Sequence, residues 1–243
     1  MTVYGISDRG VVRRVNQDAF RFHVDEEDEL AVAVLCDGMG GTKSGEIASS
    51  MASETFLSSA LEDLEQQPDT DLADIGRESA AYANLKVYDR ASRDLDCQGM
   101  GTTLVAVLVR RDSAVIVNIG DSRGYWFADG HIQQVTRDHS HVQELVELGV
   151  ITPQEARSHP RKNLITRAVG LERRMFSDIF RMDLRRGDRI LLCSDGLSNL
   201  VTEEEMAEVL SREPELPSCC DSLLKMALDR GAPDNVTVVV LER

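Results

Sequence analysis

The chain of 243 residues is 42% hydrophobic and 28% charged, which is ordinary for a globular protein that can bury a sizeable core. It contains no run of about 18 apolar residues, and its first residues lack the basic and apolar regions of a signal peptide, so neither a membrane span nor secretion is expected. The 42 acidic and 27 basic residues give a formal charge of -15, which argues against a nucleic-acid partner.

The five cysteines are odd in number and include no CxxC pair, so neither a disulfide framework nor a zinc site is expected. Cys36 and Cys193 lie inside apolar stretches and are expected to be small core residues. Free thiols are typical of a reducing compartment, and we therefore expect a cytoplasmic protein.

Residues 1–93 predict three strands followed by two long helices. The stretch over residues 30–36 is almost continuously apolar, which is typical of a strand that is buried on both faces. Apolar residues at helical spacing predict a helix over residues 44–65, and Thr70 is expected to cap a second helix that ends near Arg93. We expect this helix pair to cover one face of a sheet. The two other strands are predicted over residues 2–7 and 20–24.

The rest of the chain predicts short strands and a second pair of helices. Strands are predicted over residues 102–110, 114–120, 124–128 and 132–136. Because the turns between them are too short for a crossover, neighbouring strands must be antiparallel, which excludes a doubly wound parallel fold. The later elements are strands over residues 179–184, 189–193 and 236–241 and helices over residues 202–211 and 216–230. A layered α-β-β-α arrangement fits this order, as do other α+β folds.

Residues 139–170 interrupt the strands with a helical insertion. A short helix is predicted over residues 142–148, and Thr152 opens a capping box that begins another. The insertion has too few apolar residues for a core of its own, so we interpret it as a mobile flap at the rim of a site. No linker or long repeat divides the chain, and residues 1–243 are expected to form a single domain.

Four aspartates stand at the ends of apolar strands or at a turn before one. Asp37, Asp121 and Asp195 follow strands, whereas Asp234 precedes the last strand. Each is followed by Gly, Ser or Asn, which permit a sharp turn, and any one of them could be a plain turn residue. If the four converge, their repulsion keeps some of them protonated unless cations neutralise them. A ligand set made only of oxygens favours Mg²⁺ or Mn²⁺ over zinc.

Six short motifs occur in the order that they have in one known family, and they span nearly the whole chain. The motifs are Ser7-Asp8-Arg9-Gly10 with Val12-Arg13 and Asn16-Gln17-Asp18, Asp37-Gly38-Met39-Gly40-Gly41 with Gly45-Glu46, Gly99-Met100-Gly101-Thr102-Thr103, Ile119-Gly120-Asp121-Ser122-Arg123, Cys193-Ser194-Asp195-Gly196-Leu197, and Gly231-Ala232-Pro233-Asp234-Asn235-Val236-Thr237. With them the chain resembles the metal-dependent protein Ser/Thr phosphatases of type 2C, the PPM family, in its bacterial branch. The resemblance implies a stand-alone catalytic domain with an α+β fold, a four-layer α-β-β-α sandwich in which two central antiparallel sheets are flanked by helix pairs. Residues 139–170 fall where the family has its variable flap.

The resemblance also implies a site with two divalent ions, Mn²⁺ or Mg²⁺, and a third that is held more loosely. Asp37 would bridge the two ions, and Gly38 would offer its carbonyl oxygen to one of them. Asp195 and Asp234 would hold the other ion. Asp121 would hold the third ion together with Asp195.

Two further residues would complete this site. Asp18 would support the pair of ions, directly or through water. Arg13 would grip the substrate phosphate, since a planar guanidinium can bind phosphate with two hydrogen bonds. Without the resemblance, Arg13 would be interpreted as one half of a surface salt bridge. Gln17 stands where some members of the family carry glutamate.

The resemblance implies hydrolysis of phosphoserine and phosphothreonine in proteins by a water activated between the two ions. Such an enzyme would oppose a cytosolic Ser/Thr kinase, and we expect a monomer with neither nucleic-acid nor membrane partners. Two other hypotheses are a non-catalytic phosphoprotein-binding regulator of the same fold and a phosphomonoesterase that acts on small metabolites.

No residue inherits the family's proton donor to the leaving group. Many relatives carry a histidine shortly after the Gly-Gly pair, where this chain has Thr42-Lys43-Ser44, and others carry it where Met39 stands. A metal-bound water could serve instead. The other candidates are three histidines of the flap that are otherwise expected to be solvated on the surface, namely His139, His141 and His159.

Overall fold

Two antiparallel sheets stack face to face in the computed structural model, which describes residues 1–27, 29–39, 41–67 and 69–243. In these residues the strands are β1 Thr2–Asp8, β2 Asp18–Asp25, β3 Leu30–Met39, β4 Gly101–Thr102, β5 Leu104–Arg110, β6 Ser113–Ile119, β7 Arg123–Ala128, β8 His131–Gln134, β9 Asp178–Asp183, β10 Arg189–Cys193 and β11 Val236–Glu242. The helices are α1 Gly41–Gln66, α2 Leu72–Arg93, α3 His141–Glu147, α4 Pro153–Ser158, α5 Asp195–Ser198, α6 Glu203–Arg212 and α7 Leu216–Asp229, and a 3₁₀ turn, Leu95–Cys97, follows α2.

The topology confirms the predicted four-layer α-β-β-α sandwich. One sheet has the strand order β1-β11-β10-β7-β8, and the other has the order β2-β3-β5-β6-β9 with β4 paired to β3. The pairings between neighbouring strands are antiparallel throughout the described residues. Helices α1 and α2 pack on the outer face of the second sheet, and α6 and α7 pack on the outer face of the first.

Strand β3 buries both of its faces, as its continuous apolar sequence predicts. Because successive side chains of a strand point to opposite faces, alternate residues enter different cores. Val32, Val34 and Cys36 join the core beneath α1 and α2. Ala31, Ala33 and Leu35 join the core between the two sheets. The strand runs on to Met39, beyond its predicted end at residue 36, so Asp37 lies on paired strand rather than in a free turn.

Helix starts follow local capping signals in most places. Capping boxes form at Thr152 and Thr202, where each hydroxyl accepts a backbone N–H and a glutamate side chain returns the bond. The predicted cap of α2 at Thr70 is wrong, because Asp71 accepts the Ala73 N–H at 2.8 Å. Arg181 of β9 holds the Asp71 carboxylate with two hydrogen bonds, which favours Asp71 at this position.

The predicted flap is joined to β4 near its C-terminal end. It contains α3 and α4 and lies between β8 and β9. Val169 forms an antiparallel bridge with Thr102, and both residues are fully buried. Ser140 forms a second bridge with Ile165 inside the segment.

No helix in the described part of the chain is long and apolar enough to cross a bilayer.

Candidate active site

One cavity of about 580 Å³ lies at one end of the sandwich and collects most of the predicted site residues. Its lining includes Arg13, Asp37, Gly38, Asp121, Asp195 and Asp234. Antiparallel pairing explains the convergence. The ends of β3 and β6 flank the start of β5, and the end of β10 lies beside the start of β11. Residues that are distant in sequence therefore meet at the same edge of the two sheets.

Asp18 lies next to this cavity because it pairs with Asp37 in the register of β2 and β3. One carboxylate oxygen, Oδ2, accepts hydrogen bonds from the Ser194 hydroxyl at 2.8 Å and the Thr237 hydroxyl at 2.7 Å. The other, Oδ1, is buried and has no hydrogen-bond partner in the described residues. Because a buried carboxylate oxygen without a partner costs free energy, we expect this atom to bind an ion or a water molecule.

The clustered carboxylates raise one another's pKa values. Burial, followed by repulsion from Asp18 and Asp195, raises the pKa of Asp37 well above its ordinary value. Burial raises the pKa of Asp18 to about 6, against the hydrogen bonds from Thr237 and Ser194. The pKa of Asp121 is raised to about 8 by burial and by repulsion from Asp195. Such a cluster favours the binding of cations, which would neutralise the repulsion.

The donor set fits Mg²⁺ or Mn²⁺. It consists of carboxylate oxygens, the ligands that these hard cations prefer. One of them is Oδ1 of Asp18, which has no hydrogen-bond partner in the described residues. Among the described residues, no group of three His, Cys, Asp or Glu side chains stands close enough together to hold an ion unaided. Protein sites for Mg²⁺ usually use one or two carboxylates and keep several waters, so carboxylates spread around a cavity suit it.

The backbone around Asp37 is clamped at several points. The Asp37 N–H donates to the Thr103 hydroxyl at 2.9 Å, and the Asp37 carbonyl accepts from the Thr103 N–H at 2.9 Å and the Thr102 hydroxyl at 2.8 Å. Gly38 passes so close to neighbouring backbone that a Cβ there would lie 2.1 Å from the Gly45 carbonyl oxygen. Only glycine fits at this point. Gly40, part of the same motif, lies outside the described residues.

Arg13 points into the cavity from the irregular loop between β1 and β2. Its Nη2 donates to Asp234 Oδ2 at 2.7 Å, and 52% of its side chain is exposed. This hydrogen bond raises the pKa of Arg13 further. The salt bridge that the sequence offered as the alternative role is therefore present, but its partner is a carboxylate of the cavity rather than a residue of the distant surface.

Asn235 holds the loop that carries Arg13. Its Oδ1 accepts the Gln17 N–H at 2.8 Å, and its Nδ2 donates to the carbonyl oxygens of Arg9 and Val15 at 2.9 and 3.0 Å. The side chain is almost completely buried. The sequence places Asn235 within a motif but indicates no role for it. The residue type itself indicates a structural role, because the side-chain amide of a buried asparagine needs a partner for its donor and another for its acceptor.

The three flap histidines do not line this cavity in the described residues. His139 is only 6% exposed, so its expected position on the solvated surface is wrong. Its Nδ1 accepts the Gly120 N–H at 3.1 Å, and its Nε2 lies 3.1 Å from Asp178 Oδ2. His141 and His159 are half-buried and contact each other edge to face. None of the three therefore forms part of the wall of the cavity in which a leaving group would be protonated.

Solved structures of serine/threonine phosphatases have this same architecture. The catalytic domain of serine/threonine protein phosphatase PstP in complex with two manganese ions matches with a TM-score of 0.85 and 38% identity, over 99% of this chain and 97% of that one. Stp1 from Staphylococcus aureus, a serine/threonine phosphatase, matches with a TM-score of 0.88 and 35% identity, over 99% of this chain and 94% of that one. The fold and its carboxylate-lined cavity thus define a metal-dependent phosphatase.

Sequence comparison leads to the particular family. The family model for protein phosphatase 2C matches residues 11–226. Serine/threonine phosphatase stp of Listeria innocua is 36% identical over 245 residues, which cover 98% of this chain and 94% of that protein. PstP of Mycobacterium tuberculosis is 40% identical over 238 residues, which cover 97% of this chain but 44% of that protein. The chain belongs to the protein phosphatase 2C family, whose members depend on manganese or magnesium.

Proposed function

We propose that this protein hydrolyses phosphoserine and phosphothreonine residues of phosphoproteins with two Mn²⁺ or Mg²⁺ ions bound. The observation that carries the proposal is the convergence of Asp37, Asp195 and Asp234 around one cavity that also contains Arg13. The relatives support it, because they are named serine/threonine phosphatases and match nearly the whole length of this chain.

In this proposal the pair of ions would be held by Asp37, the Gly38 carbonyl, Asp195 and Asp234, with support from the unpaired oxygen of Asp18. Asp121 would hold a third ion together with Asp195. When bound, such ions lower the pKa of a water molecule and neutralise charge on the phosphoryl oxygens. Burial, and after it repulsion from neighbouring aspartates, raises the pKa values of Asp37, Asp121 and Asp195, and bound cations would relieve that repulsion.

Arg13 binds the phosphate in this proposal. Half of its side chain is exposed at the cavity, so an incoming phosphate can replace Asp234 as its partner. No cysteine competes as a nucleophile, because all five are free and buried. Burial raises the pKa of Cys193 to about 12, which keeps its thiol protonated.

The proposal extends to the setting of the enzyme. Residues 1–243 act as one catalytic unit, with residues 139–170 as a flap beside the cavity, to which Asn163 and Ile165 contribute. The enzyme opposes a Ser/Thr kinase, acts as a monomer in the cytoplasm, and has no membrane partner. Buried, unpaired cysteines support a reducing compartment.

Hydrolysis of a phosphothreonine peptide tests the proposal directly. We expect phosphate release in Mn²⁺ that stops when EDTA is added, and little release from a phosphosugar under the same conditions. Faster hydrolysis of the phosphosugar would favour an enzyme of small metabolites. Peptide binding without turnover in saturating Mn²⁺ would contradict the proposal and favour the non-catalytic regulator.

Arg13→Ala is expected to raise the KM for p-nitrophenyl phosphate by about 10- to 100-fold, the value of one or two charge-assisted hydrogen bonds, with a smaller effect on kcat. The KM of Arg13→Lys should lie between those of the wild type and Arg13→Ala, because an ammonium keeps the charge but loses the planar pair of donors. Arg174→Ala removes an exposed arginine outside the cavity and serves as the matched control. An unchanged KM in Arg13→Ala would exclude Arg13 from phosphate binding.

A further inference from the structure

His139 lies between β8 and α3 and contacts Gly120 through both its main chain and its side chain. The His139 backbone N–H donates to the Gly120 carbonyl at 2.9 Å, and ring atom Nδ1 accepts the Gly120 N–H at 3.1 Å. Both polar backbone groups of Gly120 are thus bonded to a single buried residue. Because an unpaired backbone group in the interior is costly, this double contact holds Gly120 in place.

The partners of the ring determine its tautomer. A backbone N–H can only donate, so Nδ1 must be the unprotonated nitrogen and the ring proton must be on Nε2. Nε2 lies 3.1 Å from Asp178 Oδ2, which accepts that proton. Burial lowers the pKa of His139, although Asp178 acts in the opposite direction, and this favours the neutral ring. Both ring nitrogens are therefore already used for binding within the protein.

Gly120 needs such a contact because of its conformation. Its φ is +107°, in the region that favours glycine, and a Cβ there would lie 2.7 Å from the Thr103 methyl group. A glycine has the largest conformational freedom of any residue, so the turn holds its shape only if other groups restrain it. The next residue is Asp121, and rotation at Gly120 would move the Asp121 carboxylate out of the cavity edge.

Residues from the far end of the flap support the ring from its other side. Arg167 Nη1 donates to Asp178 Oδ1 at 2.9 Å and lies 3.3 Å from His139 Nε2. The Thr166 N–H donates to the His139 carbonyl at 2.8 Å. The imidazole is therefore held between the turn that precedes Asp121 and the segment in which the flap returns to the sheets.

We infer that His139 is a positioning residue that holds the Gly120 turn and thereby sets the place of Asp121 in its cation site. The inference rests on the proposed function, in which Asp121 and Asp195 hold the third ion. Groups that orient a metal ligand without touching the metal typically contribute about 10- to 100-fold to metal affinity. His139 acts through Gly120 and has no contact with substrate.

Mn²⁺ titration of the full chain by calorimetry tests this inference with two isosteric variants. Asp121→Asn first identifies the binding step that depends on Asp121. His139→Gln places its amide near the former Nε2 and leaves the Gly120 N–H without an acceptor, so it should weaken that step by about 10-fold. His139→Asn places an oxygen at the former Nδ1, keeps the acceptor for Gly120, and should preserve that step.

Thermal unfolding without metal separates positioning from simple structural support. His139→Gln loses the contact with Gly120 and His139→Asn loses the contact with Asp178, so both variants should unfold at a lower temperature than the wild type. The tighter Mn²⁺ steps report how much folded protein is present. The inference would be overturned if His139→Gln and His139→Asn weakened the Asp121-dependent binding step equally, or if neither weakened it. If Asp121→Asn alters no binding step, the third ion of the proposed function fails and this inference fails with it.

Discussion

Asp37→Asn is expected to reduce Mn²⁺-dependent hydrolysis of a phosphothreonine peptide by about 10³-fold or more, while it raises the thermal stability of the metal-free protein. The loss of activity is expected because Asp37 would hold the proposed ions, whose stabilisation of developing charge contributes several kcal/mol. The gain in stability follows from the cluster, in which burial and repulsion from Asp18 and Asp195 disfavour a charged Asp37. Asparagine keeps the shape of the side chain and removes the charge.

Two measurements check this prediction. Turnover is measured in saturating Mn²⁺, and the unfolding temperature is measured in EDTA, where each kcal/mol of stabilisation corresponds to about 2–4 °C. Asp129→Asn is the matched control, because Asp129 is exposed in the turn between β7 and β8 and asparagine tolerates its positive φ. Wild-type turnover in Asp37→Asn would exclude the proposed bridging role. A lower unfolding temperature would show that the carboxylate stabilises the metal-free fold.

Arg189→Met is expected to destabilise the protein by about 3 kcal/mol, because the variant leaves buried acceptors without their donor. Arg189 at the start of β10 is 7% exposed. Its Nη1 donates to the carbonyl oxygens of Leu210 and Glu213, each at 2.8 Å, and its Nη2 donates to that of Pro214 at 2.9 Å. Its Nε donates to Glu242 at 2.6 Å. One guanidinium thus satisfies the end of α6 and joins it to β11.

Thermal unfolding should show a decrease of roughly 6–12 °C for Arg189→Met at this chain length. Arg189→Lys should recover little of this loss, because one ammonium cannot reach acceptors on several sides. The control Arg212→Met removes an arginine from the last turn of the same helix, where 57% of the side chain is exposed and ion pairs contribute little. Equal unfolding temperatures for the Arg189→Met and Arg212→Met variants would contradict the prediction. Arg189 lies outside the cavity, so folded variant should keep its activity.

Sequence patterns predicted the elements whose determinants lie within a few residues. The unbroken apolar run of β3 predicted burial on both faces, and the structure confirms it. The capping boxes at Thr152 and Thr202 form because donor and acceptor are three residues apart. The prediction of Thr70 as the cap of α2 failed because the choice of Asp71 involves Arg181, a residue far along the chain.

The sequence by itself determined the order of the helices and strands along the chain and the chemistry of the site. Aspartates at the ends of apolar strands favour hard divalent cations whatever the fold that unites them. Tertiary structure alone decided which of their atoms are free and which are bound. Thr237 bonds one oxygen of Asp18 and leaves the other unpaired, and Asn235 holds the loop of Arg13, each across more than 200 residues. His139 is buried for the same reason, because its partners Gly120 and Asp178 come from other elements. Hydrogen bonds between such distant residues depend on how the two sheets meet, and no local pattern in the sequence encodes that geometry.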